Sequence, residues 1–182
     1  YVGVNAHELA HQWFGDYITA RSDAHHWLQE SFATYYNQMY ERKVYGMDHF
    51  DQQRRDAQNG SVNETKKNLL PVAHSQSGSV RHYPKGAFVL NMLKYVVGGR
   101  DAYNRAVKLY LDKNPYSNVD SDDLLYAFHE STGMELNWFW EQWVYKGGEP
   151  SYNVTANDVT EGGKRSTRFY VEQVNEMNDV VG

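Results

Sequence analysis

The run His7-Glu8-Leu9-Ala10-His11 constrains this chain more than any other stretch, because it dictates what stands on one face of one helix. Four helical residues advance by about 400°, so His7 and His11 project from the same side, a single turn apart. Glu8 lies about 100° round from His7. That spacing lets two imidazoles share one zinc ion while the glutamate reaches a water beside it. The same letters also fit a buried helix carrying two hydrogen-bonded histidines, so the rest of the chain has to decide.

The next helical pattern bears on that choice. Leu28, Phe32, Tyr35 and Met39 recur at helical spacing and predict a helix over 26–45, closed by Gly46, with an apolar stripe turned to a core. Glu30 points about 200° from Leu28 and shares its side with Ala33, Thr34 and Asn37. A carboxylate in such a place is ordinarily solvated surface. Here eighteen residues separate it from His11, and the loop between the helices, about a dozen residues, permits an antiparallel return. Two neutral imidazoles and one carboxylate leave a zinc ion with an open position, the arrangement of a catalytic rather than a structural site.

Other helices are expected over 2–14, ended by Gly15, and over 48–58, ended by Asn59-Gly60. Further ones are expected from Pro84, placed in a first turn, to Gly98-Gly99, and over 101–113, 121–131 and 135–145. The stretch 61–81 reads as a long polar loop. Beyond Gly147-Gly148 the pattern alternates, predicting strands at 151–155 and 168–172 joined through Glu161-Gly162-Gly163-Lys164. Aromatic residues at 15% favour a packed interior, and Trp138, Phe139, Trp140 and Trp143 at helical spacing read as core. A net charge of −5 gives no electrostatic case for nucleic acid or an anionic membrane. No apolar run approaches the roughly 20 residues that span a bilayer. The chain has no cysteine, so disulfides and thiolate ligands are excluded and the compartment is left open.

Taken together, His7-Glu8-Leu9-Ala10-His11-Gln12-Trp13-Phe14-Gly15-Asp16 and the later Trp27-Leu28-Gln29-Glu30-Ser31-Phe32-Ala33 resemble the gluzincin metallopeptidases, and specifically the M1 zinc aminopeptidases. The family usually reads Trp-Leu-Asn-Glu-Gly at the third ligand, where this chain has Gln29 and Ser31. His82-Tyr83-Pro84-Lys85-Gly86 is similar to the family's Tyr-x-Lys-Gly segment, and 138–150 is similar to the end of its catalytic domain. The resemblance implies one zinc ion held by His7, His11 and Glu30, with Glu8 as general base and Tyr83 as the donor that stabilises an oxyanion. It implies hydrolysis of peptides at the amino terminus. A thermolysin-like endopeptidase and a non-catalytic M1-like scaffold stand as alternatives. The remaining histidines, His25, His26, His49, His74, His82 and His129, are expected on the surface or in supporting positions, with His82 notable as the neighbour of Tyr83.

The expected fold is mainly α: residues 1–148 as the helical half of a thermolysin-like zincin catalytic domain, and 149–182 as the start of a β-sandwich-like domain or tail. The chain opens at Tyr1 and reads as cut from a larger sequence. The family's amine-binding acidic residue belongs to a Gly-x-Met-Glu-Asn segment upstream of the zinc helix, which is not found here. Apolar surface left bare by a missing lobe would let the isolated chain self-associate. The 182 residues alone are therefore expected to retain zinc and turn peptides over weakly or not at all. Brisk release from aminoacyl reporter substrates would overturn that expectation.

Overall fold

The computed structural model describes residues 2–174, so the last eight residues of the expected C-terminal unit, 175–182, lie outside the described residues. Helix α1 (Val2–Ala10) leads through a tight turn to β1 (Ile18–Ala20), and α2 (Trp27–Tyr45) packs back along α1. Helix α3 (Met47–Thr65) follows, then α4 (Gly78–Val80), a widened π turn (Arg81–Lys85) and α5 (Gly86–Val96), joined without a break in helical backbone. Helix α6 (Arg100–Lys113), β2 (Ser117–Val119), α7 (Ser121–Thr132) and α8 (Asn137–Trp140), which runs into a second π turn (Glu141–Tyr145), complete the helical part. Strands β3 (Tyr152–Glu161) and β4 (Lys164–Gln173) form an antiparallel hairpin. The fold is mainly α with a β element at its C-terminal end, as the periodicities predict.

The core forms around the apolar stripe of α2. Leu28, Phe32 and Tyr35 are buried and Met39 packs partly against them. Phe14, from the turn after α1, stacks on Phe32 with ring centroids 4.1 Å apart and planes 3° from parallel. Tyr110 of α6 lies on Phe32 as well, at 6.3 Å. Burying an aromatic side chain of this size is worth about 1.5–3 kcal/mol, so this stack does much to set the spacing of α1, α2 and α6. Two buried indoles settle their N–H groups on one residue: Trp27 donates to Ser121 Oγ at 2.9 Å and Trp140 to the Ser121 carbonyl at 2.8 Å. Ser121 is held there by a capping box, in which Asp120 accepts from the Asp122 and Asp123 amides and Asp123 accepts from the Asp120 amide.

Strands β1 and β2 pair in parallel, Ile18 with Ser117, Thr19 with Asn118 and Ala20 with Val119. Gln29 Oε1 accepts the Ala20 N–H at 2.8 Å, which fastens this short sheet to the first turn of α2.

Four expectations need correction. Helix α1 ends at Ala10 rather than 14, and residues 11–17 continue as irregular turns in which the Asp16 amide reaches back to the His11 carbonyl. Helix α3 runs through Asn59-Gly60 to Thr65, because Gly60 faces Val80 of α4 and the buried Ser61 bonds the Ala57 carbonyl at 2.8 Å. Tertiary contact overrides the turn preference of the pair, and the long loop shrinks to 66–77. Pro84 lies within the π turn rather than opening a helix. Trp138 is 49% exposed while its neighbours Phe139 and Trp140 are buried, since the helix turns it away from the core face.

Helices α2 and α5 approach closely at Gly86, where an added Cβ would run into the side chain of Ser31. The Gly86→Ala variant is expected to lose about 1–3 kcal/mol of stability through overpacking, measured by denaturant titration. A variant as stable as the parent would mean that this contact is looser than described.

Candidate metal centre

Three elements converge beside the α1–α2 contact. Helix α1 contributes His7, and the first residue after it is His11; the two rings stand nearly perpendicular with centroids 4.8 Å apart and Nε2 atoms 3.1 Å apart. The first turn of α2 contributes Glu30, whose Oε2 lies 3.3 Å from His7 Nε2 and 3.4 Å from His11 Nε2. The orientation follows from the helix: because Leu28 and Phe32 face the core, Glu30 turns toward α1. One ligand atom from each of the three residues lies within 4.8 Å of the others.

The hydrogen bonding shows what would satisfy this cluster. His11 Nδ1 is 2.9 Å from the Phe14 carbonyl and donates to it, which leaves a lone pair on Nε2. Glu30 is 8% exposed, and its Oε2 has no hydrogen-bond donor despite two imidazole nitrogens close by. Among the described residues its ion-pair contacts are with imidazoles, not with Lys or Arg. A buried carboxylate without a donor is costly, and electron-rich atoms facing one another repel unless something positive lies between them. A divalent cation of borderline softness fits this donor set, and two imidazoles with one carboxylate suit zinc.

Tyr83 comes from the π turn. Its ring lies parallel to that of His7, 5.9 Å away, and its hydroxyl lies near the Glu30 carboxylate. Its pKa is pushed up to about 12, first by burial, then by its interaction with Glu30 and by the charges of Glu30 and Glu8. The phenol is therefore a neutral donor at ordinary pH. Glu8 stands on the exposed flank of α1, off the axis shared by His7 and His11.

The π turn carries a structural device of its own. The Gly86 amide bonds the Arg81 carbonyl, one residue further back than in an α-helix, so the His82 carbonyl leaves the ladder. Ser31 Oγ donates to it at 2.6 Å, tying the Glu30 helix to the Tyr83 segment. Lys85, also buried, pairs with Glu149 at 2.6 Å and anchors the turn to the stretch before β3.

The other histidines take supporting or peripheral places. His25 meets Ser121, His49 meets Glu41, and His129 meets the Met134 carbonyl, while His74 Nδ1 accepts the Gln76 amide. His82 is buried and 3.2 Å from the His74 carbonyl through Nε2; burial lowers its pKa. His26 Nε2 lies 3.3 Å from Glu30 Oε1, a contact that the i,i+4 spacing of the two residues foreshadows.

Residues 1–143 match the Peptidase family M1 domain. The chain is 31% identical over 159 residues to Tricorn protease-interacting factor F2 of Thermoplasma volcanium, covering 82% of this chain and 20% of that protein. It is 32% identical over 170 residues to leucyl aminopeptidase of Saccharolobus solfataricus, covering 85% of this chain and 21% of that one. The chain thus spans about a fifth of the length of these relatives. The M1 zinc metallopeptidase from Deinococcus radiodurans superposes with a TM-score of 0.69 at 25% identity, over 83% of this chain and 34% of that structure.

Removing one donor should abolish stoichiometric metal binding without unfolding the protein. In Glu30→Gln, zinc content by atomic emission is expected to fall from about one ion per chain to a small fraction of that, since ligand and charge are lost together. Retention of a full equivalent would place the ion elsewhere.

Proposed function

The chain belongs to peptidase family M1, and we propose that it carries the catalytic machinery of a zinc-dependent aminopeptidase, which removes residues from the amino terminus of peptides. The observation that carries the reading is the meeting of His7 Nε2, His11 Nε2 and a buried, donor-free Glu30 Oε2, with the Tyr83 hydroxyl near the same carboxylate. In this reading His7, His11 and Glu30 hold the ion. When bound, zinc supplies Lewis-acid polarisation and acidifies a water.

The chain's own side chains do the rest. Glu8, adjacent to a ligand yet projecting from another side of α1, takes a proton from the attacking water and returns it to the departing amine. Its exposed position suits a group that must meet both water and substrate. Tyr83 donates its phenolic proton in a hydrogen bond to the oxygen on which negative charge develops. The raised pKa keeps that proton in place, so the donor form is available over the whole neutral and mildly alkaline range. The likeness to leucyl aminopeptidase and to an M1 zinc metallopeptidase supports peptide as the substrate class.

The same reading takes residues 1–148 as the helical part of a catalytic domain and 149–182 as the beginning of a β unit. It supports self-association of the isolated chain as well: Leu9, Trp13 and Tyr40 are exposed around an apolar hollow of about 410 Å³. Among the described residues no helix is long and apolar enough to cross a membrane.

Assigned in this way, Glu8 and Tyr83 act on rate rather than on metal binding. In a full-length protein that carries this chain, Glu8→Gln is expected to lower kcat by about 10²–10⁴ with zinc content unchanged. Tyr83→Phe should cost about 10²–10³ in kcat with little change in KM. Steady-state assays on free-amine and N-acetylated peptides would check both. Equal cleavage of the acetylated peptides would instead mark an endopeptidase.

A further inference from the structure

The two oxygens of Glu30 have different surroundings. Oε2 faces the histidine pair, whereas Oε1 lies 3.3 Å from Nε2 of His26. His26 directly precedes α2, one helical turn ahead of Glu30, so the helix itself sets the reach of its ring toward the carboxylate. The ring also meets a second imidazole, that of His82, edge-on with centroids 5.8 Å apart, and His82 is itself buried and held on the His74 carbonyl. A hollow of about 280 Å³, lined in part by His26, His82 and Tyr83, opens alongside.

We propose that His26 is a positioning residue for Glu30. Its Nε2–H holds Oε1, so that Oε2 is the one oxygen offered toward His7 and His11, and His82 keeps the His26 ring in place. The inference rests on the reading of His7, His11 and Glu30 as metal ligands. The physical need is plain: the terminal torsion of a glutamate is broad and roughly two-fold, so an unheld carboxylate can rotate or present both oxygens. A hydrogen bond to the outer oxygen removes that freedom and stabilises the charged form, as partners behind metal ligands commonly do.

The test is zinc affinity by chelator competition on the purified protein, together with the visible absorption of its cobalt-substituted form, for the parent, His26→Ala and His26→Gln. The alanine variant is expected to bind zinc about 10–100-fold more weakly and to give an altered cobalt spectrum. The glutamine variant, whose amide N–H can donate to Oε1, is expected to recover most of the affinity. Unfolding midpoints of the metal-free proteins should coincide, which separates carboxylate positioning from a general structural role. Parental affinity and spectrum in His26→Ala would overturn the inference, as would a glutamine variant as weak as alanine. A parent protein that binds no zinc would overturn the ligand reading itself and this inference with it. Parental binding with an unaffected alanine variant would overturn only the role of His26.

Discussion

A carboxylate held away from water with no ammonium or guanidinium beside it is the constraint from which this structure is best understood. Glu30 is placed there by the helix that carries it, because Leu28, Phe32 and Tyr35 commit the opposite face of α2 to the core. The stack of Phe14 on Phe32 then fixes how closely the turn after α1 can lie against α2. That turn also supplies the Phe14 carbonyl, which sets the proton on His11. One residue thus contributes its ring to the core and its backbone to the hydrogen bonding of His11. The apolar packing and the polar cluster are two sides of a single helix contact, and the energy of the first offsets the desolvation of the second.

The two positions where this chain departs from the usual pattern of its family flank Glu30, and both have clear structural employment. Gln29 caps the Ala20 amide of β1, and Ser31 binds the His82 carbonyl released by the π turn. Either side of the carboxylate is thereby tied to a different element, one to the small parallel sheet and the other to the segment that carries Tyr83. Ser31 is accommodated because the facing residue on α5 is Gly86, where any side chain would collide with it. The serine and the glycine are a matched pair in space although 55 positions separate them in the chain. Their match is steric, since an i,i+3 or i,i+4 pattern carries no record of it.

Much of this architecture was legible in the sequence, for identifiable reasons. Long periodic stretches such as Leu28-Phe32-Tyr35-Met39 bury one face whatever their partners, so the helix and its orientation follow from local pattern. The hairpin was also legible, because Gly162 and Gly163 supply the two positive φ angles that a tight antiparallel turn demands. Where reading failed, long-range contact had overruled a local preference. Asn59-Gly60 has the composition of a turn, yet packing of Gly60 against Val80 carries α3 straight through it. Trp138 belongs to an aromatic cluster by composition and to the surface by helical phase. Around the candidate metal centre, identical residue types separated by role: six of the eight histidines cannot be told apart by letter, and only the pairing of His7 with His11 announces itself. The i,i+4 spacing puts His26 within reach of Glu30, but which carboxylate oxygen it meets is visible only in the folded chain.

The π turn before α5 has a wider meaning for how such a site can change. Slipping the hydrogen-bond ladder by one residue rotates everything upstream by roughly 100° relative to the helix downstream. The buried side chains of α5, from Ala87 to Leu93, can thus keep their registry with the interior while the phenol ahead of them is aimed by a separate setting. It acts as an adjustable coupling between a rigid shaft and the tool it holds. Substitutions at the coupling could re-aim the tool without disturbing either the shaft or the His7, His11 and Glu30 cluster across from it.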